Sequence, residues 1–242
     1  MLTGVAGERR RSDCRLKGGL VPDDIIFNRG FSALLFDMDG TLLDSTAVVE
    51  RIWGRWAIDH GIEPGPLIRT IHGIRAVDVL KRLNLTGVDP VDEARRIEAQ
   101  EMEDVEGIVP VAGAIPLLNS LPPKQWAIVT SAPIELARKR LAAAGIPIPE
   151  VIVSGEDVAR GKPHPDCYLL GAKRLGFEPG ACLAFEDAPA GTRAAEAAGC
   201  PVVLVTATHS TLHPLGHIAV RDYLGLRYSR DDGKISVWFK TN

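Results

Sequence analysis

From residue 111 onward, short apolar runs alternate with amphipathic stretches, and this rhythm limits the chain to few architectures. "AIPLLNSL" has helical spacing, "QWAIVT" is a short apolar run, "PIELARKRLAAAG" is helical and closes on glycine, and "EVIVS" is apolar again. The pattern continues through "DCYLLGAKRLG", "ACLAF", "AGTRAAEAAG" and "PVVLVT". The apolar runs are too short for helices, so they read as strands buried on both faces. Strands joined by helices run parallel, because each helix carries the chain back across the sheet. "FSALLF" at residues 31–36 supplies a first strand ahead of the series. "HIAV" is expected to add an edge strand. "LRYSRDDGKISVWF" is expected to form a hairpin turning at Asp232-Gly233.

Residues 47–110 interrupt this pattern with helical spacing alone. Val48, Val49, Ile52, Trp53, Trp56 and Ala57 form one stripe, ending at Gly61, and a second stretch covers Ala76–Leu83. A third, "VDEARRIEAQEMEDVE", is charge-rich, and its acids are expected to form a solvated face. The two tryptophans fit the apolar stripe and are expected in the core of this block. The predicted fold is thus α/β, a Rossmann-like open parallel sheet with an inserted α-helical domain. Residues 31–46 and 111–242 form the sheet core, and residues 47–110 the insertion. Residues 1–30 contain the Arg-rich "GERRRSDCRLKGG", without periodicity or the apolar segment of a secretory signal. They are expected to be a disordered or loosely docked extension.

Charge and composition exclude several functions. The net charge is −3 and aromatics are 5% of residues, which leaves neither a basic footprint nor a stacking platform for nucleic acid. No apolar run approaches the roughly 18 residues that would span a membrane. Cys14, Cys167, Cys182 and Cys200 form no CxxC pair or zinc spacing. They are expected to be reduced, in a cytoplasmic protein.

In open α/β sheets, ligands sit outside the carboxyl ends of the strands. Asp37-Met38-Asp39-Gly40-Thr41 follows the first strand, and Thr130-Ser131 follows "WAIV". Gly161-Lys162-Pro163 lies in the loop after "VIVSG", and Glu186-Asp187 follows "CLAF". Clustered carboxylates repel one another, and a hard divalent cation such as Mg²⁺ relieves the repulsion while leaving positions for water and phosphate. A lysine and hydroxyl donors beside it suit a phosphoryl group. One carboxylate can act as nucleophile, and a second, two residues on, as acid and then base.

"DMDGT", "VTS", "GKPHPD" and "EDAPAG" resemble, in order and position, the four motifs of the haloacid dehalogenase-like superfamily of phosphohydrolases. "IHGIRAVDVL", "WAIVTS" and "GKPHPDCYLLGAKRLG" are further similar to sugar phosphatases related to 2-deoxyglucose-6-phosphatase and glycerol-3-phosphatase. The resemblance implies a Mg²⁺-dependent phosphatase of small phosphorylated sugars or polyols, acting through an aspartyl-phosphate. Asp37 would be the nucleophile and Asp39 the acid and base, its backbone carbonyl also on the metal. Asp187 would be a metal ligand with Asp37, and Glu186 would assist directly or through water. Lys162 would hold the phosphate, with Thr130 or Ser131. The helical insertion would be the cap that closes on the site, and His72 and Arg75 its residues for the substrate's non-phosphate end. A phosphomutase of the β-phosphoglucomutase type shares the four motifs and the cap, and is the alternative. A phosphonate hydrolase would need a cap lysine; Lys81, the lysine of the insertion, lies in an ordinary helical context. The sequence gives no oligomeric state.

Overall fold

The computed structural model describes residues 27, 29–208 and 217–239. The expected extension over residues 1–30, with Cys14, lies outside these except at residues 27, 29 and 30.

Six strands form one sheet: β1 (Ala33–Phe36), β4 (Trp126–Val129), β5 (Ile152–Val153), β6 (Cys182–Glu186), β7 (Val202–Val205) and β8 (Ile218–Val220). Their order is β5-β4-β1-β6-β7-β8, and every neighbouring pair is parallel. β1 is central, so Asp37 and Asp39 emerge in the middle of the sheet. Period-two alternation divides the strands between two apolar layers. Phe36, Ile128, Phe185 and Val203 face one way, towards Leu136, Ala137 and Leu141 of α6 (Ile134–Ala143). Leu35, Val129, Ala184 and Leu204 face the other way. There they meet Tyr168 and Ala172 of α7 (Asp166–Leu175) and Ala194 and Ala195 of α8 (Pro189–Ala197). Phe36 stacks on Phe185 with ring centroids 4.7 Å apart, and Phe36→Ala would cost about 3–5 kcal/mol. "HIAV" supplies the edge strand β8, as expected.

The expected hairpin is β9 (Leu226–Asp231) with β10 (Lys234–Phe239), and Asp232 and Gly233 at its turn both have positive φ. It is anchored to the core by paired backbone bonds between Phe31 and Ile235. Between β6 and the chain's start, α5 (Ala114–Ser120) precedes β4 and completes the α/β series.

The stretch between Asp44 and Val109 is helical: α1 (Thr46–Asp59), α2 (Pro64–Ile71), α3 (Ala76–Leu83) and α4 (Pro90–Glu103). α2 is hidden in the sequence by "PGP", which reads as a loop. Its prolines fall in the first turn, where backbone N–H groups have no intrahelical acceptor and proline does little harm. The chain enters and leaves this block through β2 (Leu43–Asp44) and β3 (Val109–Pro110), which pair antiparallel. Two-residue strands carry no readable period. The acidic face expected for α4 is only partly solvated: Glu101 is buried beside Ala94 and Ile97, and Glu98 is half-buried and turned to the sheet side.

Candidate active site

The carboxyl ends of β1, β4 and β6 meet the loop after β5 at one place. Asp37 continues β1, its N–H donating to Phe185 O at 3.0 Å. The chain then turns tightly: the Leu42 N–H donates to Met38 O at 2.8 Å and the Gly40 N–H to Leu43 O at 2.7 Å. Gly40 has φ 85°, and a Cβ there would stand 1.9 Å from Asp187 Oδ2. Only glycine admits this backbone and this close a carboxylate.

Lys162 is buried, and its Nζ donates to Asp37 Oδ1 at 2.6 Å, Glu186 Oε1 at 2.7 Å and Val129 O at 3.0 Å. The Tyr168 hydroxyl donates to the same Glu186 oxygen at 2.5 Å. Asp37, Glu186 and Asp187 each bring a carboxylate oxygen to within 4.8 Å of the others, all three residues being buried. One ammonium cannot balance three buried carboxylates. Burial, and then the Glu186 charge, push Asp37 up to about 7, against the pull of Lys162. Burial also raises Glu186. For Lys162, burial works against the charged form, but Asp37 and Glu186 outweigh it and hold the ammonium well above its ordinary range. Asp37 Oδ2 is buried and has no hydrogen-bond partner among the described residues. A buried, unsatisfied carboxylate oxygen inside an over-charged acidic cluster is what a hard divalent cation would satisfy. The donor set therefore fits such a metal.

The second strand end is divided between two roles. Thr130 is buried, and its Oγ1 accepts from the Ala132 N–H at 3.1 Å, which leaves its own proton to donate. The Ser131 hydroxyl donates instead to Gly73 O of the helical block at 2.8 Å. Asp39 stands at the cleft wall, apart from the three-carboxylate cluster. Its Oδ1 accepts from Ser45 Oγ at 2.6 Å, and its Oδ2 lies 3.0 Å from Arg140 Nη1. Arg140, buried in α6, also reaches Glu101 Oε2 of α4 at 3.2 Å.

His72, at the end of α2, lines the cleft, with Trp53, Glu98 and Glu101 from the same block. Arg75 does not. Its Nε and Nη2 bind Asp78 at 2.6 and 3.1 Å, and its remaining donors reach the carbonyls of Gly155, Val158 and Ala159. The guanidinium, expected at the substrate, fastens the helical block to the loop that leads into Lys162. Trp53 is core-packed, as expected, but also faces the cleft and hydrogen-bonds Glu101.

Arg140, Glu101, Glu98, Ser45 and Tyr168 escape the motif reading. Two of them carried a signal. Arg140 falls on the apolar stripe of α6 defined by Leu136, Ala137 and Leu141, and Glu101 on the stripe of α4 defined by Ala94 and Ile97. A charge at a core position demands a buried partner, and here each is the other's.

This arrangement has close counterparts. The model of the haloacid dehalogenase-like hydrolases matches residues 31–199. Hexitol phosphatase A of Escherichia coli is 45% identical over 200 residues, which are 77% of this chain and 92% of that protein. Glycerol-1-phosphate phosphohydrolase 1 of Saccharomyces cerevisiae is 34% identical over 191 residues, 73% of this chain and 75% of that protein. A hydrolase crystal structure from Pseudomonas syringae superposes with TM-score 0.66 at 28% identity, covering 74% of this chain and 87% of that one. Four motifs at four strand ends, a buried lysine among carboxylates and these matches together place the chain among the haloacid dehalogenase-like hydrolases.

Proposed function

We propose that the protein is a Mg²⁺-dependent phosphatase of small sugar or polyol phosphates that works through an aspartyl-phosphate on Asp37. The carrying observation is the division of labour on Asp37: Oδ1 is held by Lys162, and Oδ2 is buried beside two further carboxylates without a partner. Relatives named for hexitol, glycerol and 2-deoxyglucose phosphates support the substrate class.

Asp37 attacks phosphorus, and the bond to the substrate alcohol breaks as Asp39 gives that oxygen its proton. Water then attacks phosphorus, Asp39 takes the water's proton, and the Asp37 carboxylate leaves. Asp39 therefore has to exchange its contacts with Ser45 and Arg140 for the reacting oxygens. Lys162 balances charge throughout, and the Thr130 hydroxyl donates to the phosphoryl group. Asp37, Glu186, Asp187 and the Asp39 carbonyl would hold Mg²⁺, which supplies charge balance and polarises the phosphoryl oxygens when bound. Residues 47–110 act as a cap over the core formed by residues 31–46 and 111–242. His72 serves the non-phosphate end of the substrate. Reduced, buried Cys167, Cys182 and Cys200 support a cytoplasmic setting, and no helix among the described residues is long and apolar enough to cross a membrane.

The test is phosphate release across a panel of sugar and polyol phosphomonoesters, with Mg²⁺ and then with chelator. Release that requires the metal supports the reading. Absence of release from every phosphomonoester contradicts it.

A further inference from the structure

The half of the cleft away from Lys162 has an unusual charge balance. Arg140 is the one lysine or arginine among the described residues lining the cleft, and it carries a carboxylate on each side, Asp39 at 3.0 Å and Glu101 at 3.2 Å. Its positive charge is therefore balanced inside the protein, and Glu101 still balances it when Asp39 turns to the reacting oxygens. Glu98, one turn before Glu101 on α4, adds a further carboxylate to the same wall. Arg75, the cation expected here, is bound to Asp78 and to backbone carbonyls outside the cleft. His72 is the other lining side chain able to carry positive charge. Beyond the phosphate end, carboxylates outnumber cations on this wall; burial and then the Glu101 charge push Glu98 up to about 7, so its negative charge is complete only above that pH.

The wall still offers hydrogen bonds. Glu98 is half-buried at the cleft, and its carboxylate suits a hydroxyl group, which can donate to it. It does not suit a second phosphate or a carboxylate, which would meet Glu98 and Glu101 at close range.

We propose that Glu98 and Glu101 make this wall a charge filter: the site takes phosphomonoesters whose other end is uncharged and hydroxylated, and it rejects those carrying a second anionic group. The proposal rests on the phosphatase reading and deepens it. It also bears on the phosphomutase alternative, because transfer between two hydroxyls of one sugar passes through a bisphosphate, and a bisphosphate needs a second anion site.

The experiment, run above the pH of about 7 at which Glu98 ionises, compares kcat/KM on matched pairs, a hexitol phosphate with the hexitol bisphosphate and glycerol phosphate with phosphoglycerate, and includes p-nitrophenyl phosphate. The wild-type protein should favour the uncharged member of each pair by about tenfold or more, and the preference should shrink as salt is raised. Glu98→Gln should narrow the gap several-fold by raising kcat/KM for the doubly charged substrates, and Glu98→Lys should narrow it further. Equal rates on both members, or a gap unchanged by both substitutions, would overturn the filter and leave the phosphatase standing. No phosphate release even from p-nitrophenyl phosphate would overturn the phosphatase reading and the filter with it.

Discussion

Arg75 fills the space that a side chain on Gly161 would occupy: its Nε lies 2.5 Å from where a Cβ on residue 161 would stand. The residue after this glycine is Lys162, so a contact from the helical block is locked against the loop that aims this lysine at Asp37. Arg75→Ala should lower kcat/KM by about tenfold or more through a misplaced Lys162, and Gly161→Ala should do the same by expelling the guanidinium. Steady-state kinetics on both variants check this. Wild-type kinetics in either would break the link between the block and the lysine.

Removing the Lys162 ammonium leaves Asp37 and Glu186 buried against each other. Lys162→Met should destabilise the metal-free protein by about 3–5 kcal/mol and lower kcat by about two to three orders of magnitude. Denaturant unfolding and phosphate release measure the two effects separately.

The cluster makes metal binding depend on pH. The Asp37 carboxyl is raised from 3.8 to about 7 in the metal-free fold by burial and by Glu186, so the fold favours its protonated form. The stability this provides is complete below 3.8 and is lost as pH rises through about 7. The metal-free protein should therefore lose thermal stability across that window. Mg²⁺, which competes with the proton, should restore stability at and above the upper limit and bind more weakly below it. Thermal unfolding against pH, with Mg²⁺ and with chelator, checks the sign. A metal-free protein that gains stability from this window upward would contradict it.

Arg140 joins Asp39 to the helical block through Glu101. Arg140→Met leaves Glu101 buried and unpaired and should cost about 3–5 kcal/mol of stability. The double variant Arg140→Met with Glu101→Leu should recover much of that loss, because two apolar side chains then replace the ion pair. Recovery absent in the double variant would mean that the pair is not the source of the loss.

The sequence carried the sheet, the strand-end acids and Lys162 plainly, because buried strands are short apolar runs and the proposed catalytic groups follow them directly or in the next loop. It concealed α2, because "PGP" reads as a loop until its prolines are seen in the first helical turn. It misdirected on Arg75: a cation in a helical-block loop looks available for substrate, and only the fold brings Asp78 and three carbonyls around it. Glu101 and Arg140 were legible in principle as charges on apolar stripes, but their pairing joins elements distant in sequence and needs the packing of α4 on α6 to be seen.

The central claim is that Asp37 takes the phosphoryl group, and pre-steady-state kinetics of the Asp39→Asn variant with p-nitrophenyl phosphate test it most directly. That leaving group needs no proton, so attack by Asp37 proceeds while hydrolysis, deprived of its base, stalls. The account predicts a burst of p-nitrophenolate equal to the enzyme present and a phosphoryl group on the peptide that contains Asp37. Turnover without a burst, or a phosphoryl group found on another residue, would contradict it.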